Sequence, residues 1–269
     1  MFNKNKLKAT DNEILVIGKY SKVQELRKKS NMFYSDHFIF MNDGFANLND
    51  KGYPIDFDEK MYALPDKYKN FLYQANLYRK SLEFSEIDLE NKSQTIVDVG
   101  CGLGGGISFY KDFYNFEKCI GIDLTGKHIE IAKSNNFNID FYLASATKLP
   151  IKSNSVDVIT SVESVDYYNP LSKFAKESFR VLKNTGTVII TCPINYEQEQ
   201  ILEKTFLKNK FILKNKKDIT NNVAIACSIS KFLFLKFSLQ EAQTMHQEEQ
   251  RYIDGSNTKY KTYVFVKSK

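Results

Sequence analysis

The chain has no tryptophan, only three histidines and four cysteines in 269 residues, and each shortage removes a class of chemistry. Cys101, Cys119, Cys192 and Cys227 show no C-x-x-C spacing, so neither a zinc site nor a disulfide framework is indicated, and reduced thiols in a cytoplasmic protein are expected. No window reaches about 18 apolar residues, so no membrane span is expected. The densest run, IACSISKFLFLKF, is broken by Lys231 and Lys236 and reads as an amphipathic core element. The opening MFNKNKLKATDNEILVIGKY has charges but no continuous apolar stretch, which argues against a secretory signal. There is no internal repeat and no low-complexity tract.

Charge is present but not concentrated. Thirty-eight basic against 32 acidic residues give +6, in small groups such as RKK and NKNKLK. That pattern reads as a solvated surface rather than a nucleic-acid footprint. At 42% apolar the chain supports a sizeable core.

Residues 1 to about 92 read as helices and loops punctuated by Pro54 and Pro65. From residue 95 the pattern changes. TIVDVG, KCIGIDL, IDFYLA, SVDVITSV and GTVIITCPI read as short buried strands; ISFYKDFY, TGKHIEIAKSNN and NPLSKFAKESFRVLK read as helices between them. Helical stretches follow near residues 197–209 and 219–237, and the period-2 strand YKTYVFV closes the chain. Strands alternating with helices predict an α/β fold, a doubly wound and mostly parallel sheet buried on both faces.

The stretch QTIVDVGCGLGGGISFY then decides what the sheet holds. Gly100, Gly102 and Gly105 have G-x-G-x-x-G spacing, which suits a dinucleotide or an adenosyl ligand at the following helix N-terminus. Asp123, 19 residues past Gly104, is an acceptor for ribose hydroxyls in either case. Asp98 separates them: its carboxylate repels a pyrophosphate but suits the cationic sulfonium and ammonium groups of S-adenosylmethionine. The other reading of Asp98 is a carboxylate that caps the loop's own amides.

IVDVGCGLGGG, GIDLT, SATKLPIKSNSVDVITSVES and FRVLKNTGTVII, in that order, resemble the motif series of class I S-adenosylmethionine-dependent methyltransferases over about residues 70–195. MNDGFA, QANLYRK, SVESVDYYNP and RYIDGSNTKYKTYVF are similar to segments of bacterial methyltransferases of polyketide-derived lipids and natural products, such as the phthiotriol dimycocerosate methyltransferases. The resemblance implies a Rossmann-like, seven-stranded sheet with an antiparallel C-terminal strand and a helical lid. It divides the chain into a helical lid or cap over residues 1–92 and a core over 93–269, with a lid insertion at about 196–240. It further implies that Gly100, Gly102 and Gly104, with Cys101 among them, border the methionine part of the cofactor. Asp123 and the adjacent Leu124 would hold the ribose side, and Ser145 and Ala146 the adenine. Ser145 stands where the family usually has aspartate, a weaker acceptor in its place. Tyr78 matches a helix bordering the cofactor, though its spacing from Phe71 also suits plain core.

The loop SVESVDYYNP carries the expected chemistry. Asp166 stands where related hydroxyl methyltransferases often carry histidine, and is the first candidate base; an N-cap ahead of Pro170 is its structural alternative. Glu163 is the second candidate, as a base or as an anchor for loop amides, and it also counts among the cofactor contacts. His37 and His128 fall outside the matched catalytic position, with His128 expected to be exposed; His246 is a candidate for the acceptor cleft. Without a carboxylate cluster, transfer without a metal is expected. An aromatic lid implies an apolar small-molecule acceptor, although Phe, Tyr, Asn, Ile and Lys are also favoured by an AT-rich genome. The function implied is methyl transfer to a hydroxyl of a polyketide- or lipid-like molecule. N- or C-methylation, a SAM-binding protein without turnover, RNA methylation and, last, NAD-dependent oxidoreduction stand as alternatives, and monomer and homodimer are both open.

Overall fold

A computed structural model describes residues 40–136, 138–234 and 257–268; His37, His246 and the first 39 residues of the expected lid lie outside them. Two short helical pieces come first, α1 (Glu59–Tyr62) and α2 (Leu72–Glu83). The chain then alternates as expected through β1 (Thr95–Val99), α3 (Gly105–Phe109), β2 (Lys118–Asp123), α4 (Gly126–Asn135), β3 (Asp140–Leu143), β4 (Val156–Val162), α5 (Leu171–Val181) and β5 (Leu182–Ile194). It ends with α6 (Tyr196–Lys208), β6 (Phe211–Asp218), α7 (Thr220–Phe234) and β7 (Lys259–Lys267).

The seven strands form one sheet in the order β3-β2-β1-β4-β5-β7-β6. β7 runs antiparallel to both neighbours, and the other pairings are parallel. β1, β2 and β4 are buried along nearly their whole length, which is why they read as apolar runs without alternation. Successive residues of each strand face opposite layers: Ile96 and Val158 pack with α2, α3 and α4, whereas Val97 and Ile159 pack with α5 and α6. On α5 the buried residues Phe174, Ala175, Ser178 and Val181 recur at helical spacing and supply its stripe in that second layer.

The lid expected at 196–240 has residues 235–240 outside the described residues, and its part from Tyr196 to Asp218 belongs to the sheet and its covering layer. Its first helix, α6, lies on the sheet through Leu202 and Phe206, with Asn195 and Gln198 closing a reciprocal cap at its start (2.9 and 3.0 Å). Its middle is strand β6, which reading by periodicity misses because FILKNKKD carries three lysines and a bulge between Leu213 and Asn215. β6 is an edge strand, where charged side chains and bulges are tolerated and discourage further pairing. The N-terminal segment is likewise only partly a cap, since Tyr68, Leu77, Tyr78 and Leu82 belong to the main core.

What does cover the sheet's upper edge is an irregular strap over residues 40–46. It is held by α2 and α7: Phe45 N–H donates to Tyr73 O (2.8 Å), Asn76 Nδ2 to Phe45 O (2.9 Å), and Ala46 and Asn222 exchange two hydrogen bonds (3.1 and 2.9 Å). Among the described residues no helix is long and apolar enough to cross a membrane.

Candidate active site

The crossovers from β1 lead to one face of the sheet and those from β4 to the other, so a crevice opens between the carboxyl ends of these adjacent strands. There the structure has a cleft, open to solvent. Gly100, Cys101, Gly102, Asp123, Leu124, Ser145, Ala146, Glu163 and Tyr78 all line it.

Gly100 turns the chain sharply off β1. Its φ is +74°, and a Cβ there would lie 2.4 Å from Ser164 Oγ, so only glycine fits. The opposing loop is fixed by hydroxyls: Ser164 Oγ and Tyr168 Oη both donate to Val99 O (3.1 and 2.7 Å), and Tyr168 Oη reaches Ser161 Oγ at 3.1 Å. Met41 of the strap lies over Gly102, its sulfur 3.2 Å from where a Cβ would stand. Gly104, expected beside the cofactor, does not line the cleft; it is the residue ahead of α3 and packs against Phe141 and Ala132.

Asp98 also stands one layer back. It is buried, accepts from Thr160 Oγ1 at 2.7 Å, and leaves Oδ2 without a hydrogen-bond partner. It does not cap the loop amides. Burial pushes its carboxyl up to about 7, only partly offset by Thr160 and reinforced by Asp123. An orphaned buried carboxylate oxygen behind a glycine loop favours a cation and opposes a phosphate. Asp123 accepts from Gly102 N–H (2.9 Å), Thr125 N–H (2.8 Å) and the His128 ring (3.2 Å). His128 is therefore buried rather than exposed, at 2%, and lines the cleft. Ser145 Oγ accepts from Thr147 N–H at 3.2 Å, in a local turn.

On the other wall, Glu163 has φ +53°, unusual for a side-chain-bearing residue. Its carboxylate explains why the conformation persists: Oε1 accepts from Asp43 N–H (2.8 Å) and from the buried Tyr260 hydroxyl. Of the two roles open to Glu163, the anchor is the one seen. It ties the strap and β7 to the end of β4. Glu163→Ala leaves both donors without their acceptor and is expected to destabilise the protein by about 2 kcal/mol, whereas Glu163→Gln, which retains the acceptor oxygen, is expected to lose less; urea unfolding of the two variants checks this.

Asp166 is not brought into the cleft. It falls in the single helical turn Val165–Tyr167, which turns Tyr167 and Tyr168 inward and leaves Asp166 exposed on the rim. Nor does it cap α5, whose N-cap position is Pro170. Met41, Thr125, Ser164, Tyr167 and Tyr168 also line the cleft, and sequence reasoning does not single them out. For the two tyrosines a signal was present, since the YY of SVESVDYYNP lies inside the chosen loop and only the phase of the turn was missing.

A doubly wound sheet with this glycine loop and a carboxylate at the end of β2, and no lysine or arginine among the described residues that line the cleft, is the arrangement of class I, S-adenosylmethionine-dependent methyltransferases. The family comparison agrees: residues 97–190 match the family described as methyltransferase domain. Phthiotriol/phenolphthiotriol dimycocerosates methyltransferase 1 of Mycobacterium ulcerans is 26% identical over 205 residues, covering 71% of this chain and 73% of that protein. Erythromycin 3''-O-methyltransferase of Saccharopolyspora erythraea is 33% identical over 106 residues, 37% and 35% of the two chains. Among solved structures, geranyl diphosphate C-methyltransferase from Streptomyces coelicolor A3(2), in complex with magnesium, geranyl diphosphate and S-adenosyl-L-homocysteine, superimposes with a TM-score of 0.68. The identity is 15%, covering 96% of this chain and 99% of that one, which establishes the shared fold. The chain spans about half the length of the first curated relatives it matches. Relatives and neighbours named for O-, N- and C-methyl transfer all occur.

Proposed function

We propose that the protein transfers a methyl group from S-adenosylmethionine to a hydroxyl of an apolar small molecule. The observation that carries this reading is one cleft with two unlike kinds of lining. Asp98 and Asp123 stand behind and beside the glycine loop, while Phe40, Tyr78, Tyr167 and Tyr168 give the cleft aromatic walls. The bound cofactor supplies an electrophilic methyl on a sulfonium. Asp98 offers negative charge behind the loop, and a cation beside it favours the ionised form that burial disfavours. Asp123 takes the ribose, with Leu124, Ser145 and Ala146 along the adenosyl side.

The aromatic walls orient the acceptor and exclude water, which is the larger part of what an in-line displacement needs. Methyl transfer to a hydroxyl also releases that hydroxyl's proton, and the Glu163 carboxylate, facing the same cleft, would stabilise the positive charge forming on the acceptor oxygen and take up the proton. Asp166, on the rim, is given no step. A carboxylate in this position also suits an amine acceptor, so N-methylation is the second reading.

Calorimetric titration with S-adenosylmethionine, S-adenosylhomocysteine and NAD tests the cofactor half. Binding of both adenosyl ligands near the micromolar range, no binding of NAD, and loss of at least about tenfold in Asp123→Ala are expected. Binding of NAD alone overturns the reading. A radiolabelled methyl-transfer screen over apolar alcohols and amines tests the acceptor half, and transfer to amines only decides for the second reading.

A further inference from the structure

His128 has no part in the chemistry above, yet it is a buried titratable side chain in the wall of the cleft. We propose that His128 is a positioning residue for the cofactor's ribose, acting through Asp123; this rests on the adenosyl reading of the cleft. An ionised carboxylate accepts hydrogen bonds and donates none, so the nitrogen facing it carries the hydrogen. Nδ1–H of His128 thus donates to Asp123 Oδ1 at 3.2 Å.

The same oxygen takes the Thr125 amide at 2.8 Å, and Oδ2 takes the Gly102 amide at 2.9 Å. A carboxylate has about four lone-pair positions, of which three are filled here. The fourth lies on Oδ2. Two of the three donors are backbone amides, fixed by the glycine loop and by the turn into α4. His128 is the side-chain donor, presented from the first turn of α4. By committing Oδ1 from within the protein it sets the rotation of the carboxylate and leaves Oδ2 as the acceptor for a ribose hydroxyl. Without it, Oδ1 keeps one donor, and the carboxylate turns more freely in a buried site.

The test compares S-adenosylhomocysteine with its 2′,3′-dideoxyribose counterpart, by calorimetry, on the wild type, His128→Leu and His128→Gln. His128→Leu is expected to weaken S-adenosylhomocysteine about tenfold, the size of one charge-assisted hydrogen bond. His128→Gln, which restores a donor, is expected to recover most of it. The dideoxy ligand is expected to bind the wild type and His128→Leu equally, within about twofold, and in an Asp123→Asn background the leucine substitution is expected to cost nothing further within the same margin. Equal weakening of both ligands, or additive loss with Asp123→Asn, overturns the proposal and makes His128 a packing residue. A folded wild type that binds neither ligand defeats the adenosyl reading itself, which is a different result. Should His128→Leu not fold, His128→Asn takes its place in the same comparison.

Discussion

Gly106→Ala is expected to destabilise the protein by about 3 kcal/mol, the upper end for overpacking a filled core, and to lower its melting temperature by about 10 °C for a domain of this size. Gly106 is buried in α3 beneath Tyr78. A Cβ added to it would stand 2.0 Å from Tyr78 Cε1 and 2.1 Å from Cζ, contacts that cannot exist. The ring has nowhere to retreat, being packed between Phe40 and Tyr110 at centroid distances of 5.8 and 5.6 Å. Either α2 moves off α3, opening the core beside the cleft, or the glycine loop moves. Cofactor binding is expected to fall with stability for that reason. Tyr78→Leu, made together with Gly106→Ala, is expected to restore part of the loss, because it removes the ring atoms that collide. Gly126→Ala is the control. It begins α4, and a Cβ there meets only Leu143, at 3.8 Å, so its melting temperature is expected to be unchanged or slightly higher. If Gly106→Ala melts with Gly126→Ala, the packing of Tyr78 on the loop is wrong.

The second large effect is on acid stability, through Glu199. This α6 residue is buried and accepts from Lys261 (2.9 and 2.8 Å), Lys216 (2.9 Å) and Tyr263 Oη (3.1 Å), which joins α6 to β6 and β7. Burial by itself would raise its carboxyl. The hydrogen bonds from Lys261, Lys216 and Tyr263 outweigh it and bring the group from the ordinary 4.5 down to about 2. Because the folded value is the lower one, the ionised form stabilises the fold. That stabilisation, about 3 kcal/mol from the size of the shift, is complete above pH 4.5 and is lost as pH falls towards 2. Glu199→Gln is expected to be less stable than wild type by about this amount at neutral pH, with the gap closing as the solution is acidified through that window. Urea unfolding at a series of pH values reads both. A gap that stays constant with pH would mean that Glu199 acts by shape rather than by charge.

How much of this was legible beforehand differs from one residue to the next. The residues that line the cleft on the glycine-loop side are the ones that local pattern marks. Strand, glycine turn, helix and a carboxylate at the end of the next strand are consecutive in sequence, and the backbone freedom required at Gly100 leaves a direct mark on residue type. Cys101, Leu124, Ser145 and Ala146 follow from the same motifs. Gly104 was misplaced because glycine also serves to begin a helix against a neighbour, here Phe141, and spacing does not distinguish the two uses. β6 escaped because its partner, β7, lies some fifty residues further along the chain, and its lysines hide the alternation that pairing creates.

The sequence by itself determined the doubly wound sheet, the glycine loop and the sign of charge around it, because these depend on periodicity and on residue types a few positions apart. Only the tertiary structure decided which residues of the loop after β4 line the cleft. One turn of helix between Val165 and Tyr167 exchanges Asp166 for its two tyrosine neighbours. Asp43 and Tyr260, 120 residues before and 97 residues after Glu163, make that glutamate an anchor. His128 looks like a surface histidine in its own helix and becomes part of the site when α4 packs beside Asp123. Each of these depends on the phase of a short turn or on contacts between distant segments, and neither quantity is carried by the local pattern of the chain.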